Sequence, residues 1–95
     1  MRHFGIIGKP LVQSFSARYF NEKFQREGID AEYSLYPLER IEDVAPLLDK
    51  LDGMNVTMPY KQEVIEHLDG LDETAKQVGA VNVIHKKIGY NTDCL

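Results

Sequence analysis

Ninety-five residues, 43% hydrophobic and 27% charged, are the makings of one ordinary soluble domain. A chain of this size buries roughly two-thirds of the surface it exposes when unfolded, enough for a thin core. A net charge of −4 without a Lys/Arg cluster argues against nucleic acid, and no apolar run is long enough to span a bilayer.

The opening MRHFGIIGKP lacks the long apolar stretch of an export signal. The one cysteine, Cys94, excludes an internal disulfide, so a reducing cytoplasm is expected. HFGII, residues 3–7, predicts a first strand that stops at Gly8-Lys9-Pro10. Ser16 is a candidate N-cap for a helix over 17–27, with Phe20 and Phe24 on one face and Gly28 as the stop. AEYSLYPL alternates as a half-buried strand, at an edge because Pro37 cannot donate to a ladder. Ile41, Val44, Leu47, Leu48 and Leu51 follow at helical spacing, with a kink or a fresh start at Pro46. GMNVTM predicts the third strand. Pro59 suits the first turn of a short helix carrying Val64, Ile65 and Leu68. Asp72 caps another helix that ends at Gly79. AVNVIH and IGYNTD are two more strands, with Gly89 near the turn between them.

Strands alternating with helices predict an α/β, three-layer domain: a mostly parallel, twisted sheet flanked by helices. Ligands of such sheets gather at the carboxyl ends of the strands. Polar side chains collect there from four places: Ser14 and Ser16 after strand one, Asn55 and Thr57 with the following Lys61 at strand three, Asn82, and Asn91-Thr92-Asp93. The neutral ones suit hydroxyls and a carboxylate. The serine loop leads into a helix N-terminus, which favours an anion. Lys61, read in the first turn of its own helix, meets a positive dipole end, while a nearby Asp93 would stabilise and orient its ammonium. A Lys–Asp pair beside a polyol is an acid/base unit for a hydroxyl proton. Each residue also has a structural explanation: Ser16 as a cap, Asn55 and Thr57 tying off backbone groups, Lys61 solvated, Asp93 in a turn. The four clusters together indicate a ligand-binding α/β domain. His3, His67 and His85 lack metal-ligand spacing, and GIIGKP lacks the G-x-G-x-x-G of a dinucleotide loop.

Four segments, GKPLVQSFSARYFNEKF, GMNVTMPYKQEV, GAVNVI and GYNTD, resemble in order the N-terminal substrate-binding domain of shikimate dehydrogenases over nearly all of residues 1–95. The resemblance implies reduction of 3-dehydroshikimate to shikimate with NADPH, in the pathway to aromatic amino acids. It implies that Ser14 and Ser16 bind the substrate carboxylate and that Thr57, Asn82 and Asp93 hold ring hydroxyls. Lys61 becomes the acid/base residue paired with Asp93, with Asn55 shaping the strand end in support. Departures from the family pattern are Gln13 and Phe20 in place of His, Ala17 in place of Pro, and Val83 in place of Thr. The family's NADP-binding Rossmann domain is not in this chain. NADP(H) is therefore expected on the intact enzyme and not on these residues, which form a substrate platform without a hydride source. The partners implied are shikimate or 3-dehydroshikimate, and a homodimer is compatible; neither nucleic acid nor membrane is expected. The rival expectation is a stand-alone binding or regulatory module for shikimate- or quinate-like acids.

Overall fold

In the computed structural model, which describes residues 1–9 and 15–92, strand β1 (Arg2–Gly8) lies between two parallel neighbours, β2 (Ala31–Pro37) and β3 (Gly53–Val56). Beyond β3 come β5 (Val83–His85), β6 (Ile88–Tyr90) and the two-residue β4 (Gly70–Leu71), giving the order β2-β1-β3-β5-β6-β4. Among the described residues three strand pairs are parallel and two, β3–β5 and β5–β6, are antiparallel. The mostly parallel sheet expected from the sequence is thus joined by a hairpin. β2 is an edge strand, as Pro37 predicted.

Helix α1 (Phe15–Glu27) covers one face. Its Phe20 and Phe24 lie 6.2 Å apart, Phe24 reaches Phe4 at 5.9 Å, and Phe20 stacks on Tyr33 at 5.1 Å. Gly28, at φ 66°, ends the helix as expected: its N–H bonds to Gln25 and that of Ile29 to Phe24, the paired bonds of a left-handed helix stop. Ser16 lies inside the helix rather than at its cap. Asn21 also seals the sheet edge: its amide donates to the Tyr33 carbonyl at 2.8 Å and accepts from the Tyr33 N–H at 2.9 Å.

The other face carries most of the core, including Ile7, Val44, Met54, Val56, Val64 and Val81. Over it lie a 3₁₀ turn (Ile41–Asp43), α2 (Val44–Lys50), a second 3₁₀ helix (Glu63–His67) and α3 (Glu73–Val78). Pro46 falls in the first turn of α2, where no N–H is missed, so the fresh start occurs two residues before it. Asp72 caps α3 by accepting from the Ala75 N–H at 2.8 Å, and Gly79 ends it at φ 76°.

The expectation at Pro59 fails as well. Pro59 opens no helix: it follows a cis peptide from Met58, and the 3₁₀ helix starts later, at Glu63. Gly89 stands near the hairpin turn as expected, two residues past Lys87; Lys86 and Lys87 form the turn at φ 52° and 63°. Gly89 lies within β6, where a methyl group would meet Val81 at 2.6 Å and Leu68 at 2.8 Å. Close packing is what requires the glycine.

Candidate functional site

The chain directions decide which side chains can meet. β1 and β3 run parallel, so the residues after Gly8 and after Val56 leave the sheet at the same end. β5 runs against β3, which brings its entry residue Asn82 to that end; β6 runs against β5, which brings Asn91 and Thr92 there too. The backbone closes the cluster. The Thr57 N–H bonds to Ile7 at 3.0 Å, the Val56 N–H to Asn82 at 2.9 Å, and the Asn82 N–H to Tyr90 at 3.0 Å.

Lys61 is held by a turn. The Tyr60 N–H bonds back to the Thr57 carbonyl at 3.1 Å, and the buried Tyr60 ring donates its hydroxyl to the Leu38 carbonyl. The Lys61 carbonyl then accepts the Val81 N–H at 2.8 Å, fixing Lys61 beside the segment that carries Asn82. This corrects the placement of Lys61 in a helical first turn: it lies two residues before the 3₁₀ helix.

Asn82 donates from Nδ2 to Thr92 Oγ1 at 2.9 Å and accepts the Thr92 N–H at 3.0 Å. Buried Asn91 donates to the Ala80 carbonyl at 3.1 Å. These bonds fix the end of β6, from which the chain continues to position 93. Sequence reasoning placed Asn91 and Thr92 in the strand-end cluster without giving either a role of its own. The signal was the run of short polar residues, which bond readily to nearby backbone.

The structure thus brings Thr57, Lys61 and Asn82 to one end of the sheet. Ser14 and Asp93 lie outside the described residues, as does the departure Gln13. Of Ser16 only the backbone is described, in the first turn of α1, the helix that follows β1. Asn55 does not join the cluster: its Oδ1 accepts the Tyr33 hydroxyl at 2.7 Å on the face covered by α1. Phe20, another departure, is spent on the aromatic layer over that face.

A groove of about 450 Å³ opens on the α1 face, lined by Phe4, Phe20, Phe24, Tyr33, Asn55 and Val83 among others. It is apolar and excludes Thr57, Lys61 and Asn82, so the chemistry of the side chains, rather than cavity size, locates the candidate site. Nor do the glycines fit a dinucleotide. Gly5 lies mid-strand beneath the Tyr36 ring, and Gly8 ends β1 with G-x-x-G spacing rather than the G-x-G-x-x-G of a dinucleotide loop.

Fold and cluster define a class: an α/β domain that presents neutral hydrogen-bonding groups and Lys61 at its strand ends, suited to a small polar ligand. The chain belongs to the family of shikimate dehydrogenase substrate binding domains, whose model matches residues 6–84. It is 40% identical over 95 residues to a shikimate dehydrogenase (NADP(+)) of Saccharolobus solfataricus, covering 97% of this chain and 35% of that protein. A Clostridium beijerinckii protein of the same name is 40% identical over 102 residues, with 98% and 37% covered. The crystal structure of shikimate dehydrogenase from Thermotoga maritima superposes with a TM-score of 0.89 at 34% identity, covering 96% of this chain and 37% of that one. A shikimate 5-dehydrogenase of Listeria monocytogenes, solved in complex with shikimate and NAD, gives 0.88 at 31% identity, with 98% and 35% covered. The chain therefore spans little more than a third of the length of these relatives.

Proposed function

We propose that this chain is the substrate-binding part of an NADP-dependent shikimate dehydrogenase, which reduces 3-dehydroshikimate to shikimate. The observation that carries the reading is the meeting of Thr57, Lys61 and Asn82 at one end of the sheet, in a chain of this family. Thr57 and Asn82 offer donors and acceptors to ring hydroxyls. Lys61 gives a proton to the oxygen of the reacting carbonyl and takes it back in the reverse direction, with Asp93 as its charge partner. Ser14 and Ser16 take the carboxylate near the start of α1, where the free N–H groups of a helix favour an anion. The sequence carries no G-x-G-x-x-G loop, so no hydride step is assigned to these residues. The names and lengths of the relatives support an NADP site on a second domain of the intact protein. A cytoplasmic setting and a homodimer belong to the same proposal, the latter to be checked by sedimentation.

The test is NADP-dependent oxidation of shikimate by the full-length protein. Wild type should turn over, and Lys61→Ala should lose about 10²–10⁴-fold in kcat with KM less affected. Ser14→Ala and Ser16→Ala should each weaken shikimate binding by roughly 1–3 kcal/mol. Binding of shikimate without turnover, in a reading frame that continues into no dinucleotide domain, would favour a stand-alone binding module instead.

A further inference from the structure

The Tyr33 hydroxyl is unused by the proposed chemistry, and packing alone does not explain it. Tyr33 sits on edge strand β2 with 5% of its surface exposed. A phenylalanine would fill the same space under Phe20 without requiring a polar partner for a buried tip. The ring instead reaches across β1, to which Tyr33 is registered at Phe4, and donates to Asn55 on β3 at 2.7 Å. Two inter-strand spacings, about 10 Å, separate β2 from β3. Asn55 is itself out of character for a strand interior, where asparagine is disfavoured. Each residue supplies what the other lacks.

Tyr33 is also gripped from above. Asn21 of α1 bonds both its N–H and its carbonyl, and Phe20 stacks on its ring. One side chain therefore ties helix α1 to strand β3. Four residues before Phe20, the same helix carries Ser16 in its first turn. Two residues beyond Asn55, the same strand runs into Thr57 and the turn of Lys61.

We infer that Tyr33 is a positioning residue: through its hydrogen bond to Asn55 it sets the separation between the start of α1 and the end of β3, and so the span between the groups that take the two ends of the ligand. This rests on the ligand placement proposed above. Tyr33 touches no substrate and acts only through Asn55.

The experiment is a double-mutant cycle in the full-length protein, with Tyr33→Phe, Asn55→Ala and the pair. The readouts are KM for shikimate, KM for NADP(+) and the melting temperature. Tyr33→Phe should raise KM for shikimate roughly five- to tenfold, the weight of one net hydrogen bond, and leave KM for NADP(+) within about twofold. In the Asn55→Ala background the same change should have no further effect on KM. An unchanged KM in Tyr33→Phe, or an equal rise in both backgrounds, would overturn the inference and leave Tyr33 a packing residue. Failure of wild type to oxidise shikimate would instead refute the proposed function. The positioning role would then be decided by backbone amide shifts of Tyr33→Phe, which should move at Thr57 and Lys61 and stay fixed in α3. Stationary Thr57 and Lys61 amides would overturn it.

Discussion

Asn82 and Thr92 form a closed pair: the amide of one donates to the hydroxyl of the other at 2.9 Å and accepts its backbone N–H at 3.0 Å. The pair joins the entry of β5 to the exit of β6. Asn82 thus holds the chain that leads toward position 93 and, under the function proposed above, has a second duty in facing the ligand.

The two duties separate by mutation. Thr92→Val keeps the shape and the backbone bond but removes the hydroxyl. It should cost at most about 1 kcal/mol of stability, because the contact is exposed and water can replace it. Asn82→Ala should cost a similar amount in the melt and additionally weaken shikimate binding by about tenfold or more. Calorimetric titration of the full-length protein distinguishes them. Equal binding losses in both variants would mean that Asn82 acts only by holding Thr92.

Helix α3 offers a test of local signals acting as read. Asp72 accepts the Ala75 N–H, and Gly79 takes the left-handed conformation that closes the helix. Asp72→Ala should destabilise by about 1 kcal/mol in urea unfolding, and Asp72→Asn by less, since asparagine caps as well as aspartate. An alanine variant as stable as wild type would show that tertiary packing alone holds this short helix.

What the sequence made legible follows from range. Caps, glycine stops and apolar spacing act over a few residues, so α1, β2, α3 and the break near Pro46 could be read directly. The convergence of Thr57, Lys61 and Asn82 was legible because ligands of an α/β sheet gather at the carboxyl ends of its strands, and polar residues from separate segments fall there together. The failures lie where distant contacts decide. Gly89 was legible only as a residue near a turn, and the packing that requires it shows once Val81 and Leu68 are seen against it. β4 is two residues long, too short for any period to show. The bond between Tyr33 and Asn55 joins positions 22 apart, and both residues had plausible local readings, one as an alternating apolar position and the other as part of the strand-end cluster.

Gly89 yields a packing prediction. A methyl group there would lie 2.6 Å from Val81 Cγ2, 2.8 Å from Leu68 Cδ1 and 3.0 Å from Leu71 Cδ2. All three belong to the core or pack against it, so relief requires several side chains to move together. Gly89→Ala should destabilise by about 1–3 kcal/mol despite the better strand propensity of alanine. Gly89→Ala with Val81→Ala should recover part of the overlap while adding a cavity cost. A stable Gly89→Ala, measured by urea denaturation, would mean that this side of the core yields more easily than the distances indicate.

The last prediction returns to Tyr33 and concerns alkaline pH. Burial pushes its phenol up from the ordinary value near 10 to about 12. The direction fixes the sign. In the unfolded chain the phenol loses its proton near pH 10, whereas in the folded protein it holds the proton to about pH 12. The unfolded state is therefore favoured progressively across that window, and the contribution of Tyr33, complete below pH 10, is lost as pH rises through it. Other tyrosines and lysines titrate in the same range, so the difference between wild type and Tyr33→Phe is the quantity to follow. Near neutral pH the variant lacks the bond to Asn55 and should be less stable by about 1 kcal/mol. As the pH rises past 10, wild type alone pays for keeping this phenol protonated, and the gap should narrow and tend to reverse. Urea midpoints of both proteins at about pH 8 and about pH 11 measure it. A gap of constant size across that range would mean that the Tyr33 phenol titrates alike in both states, and that its hydroxyl is open to water rather than closed onto Asn55.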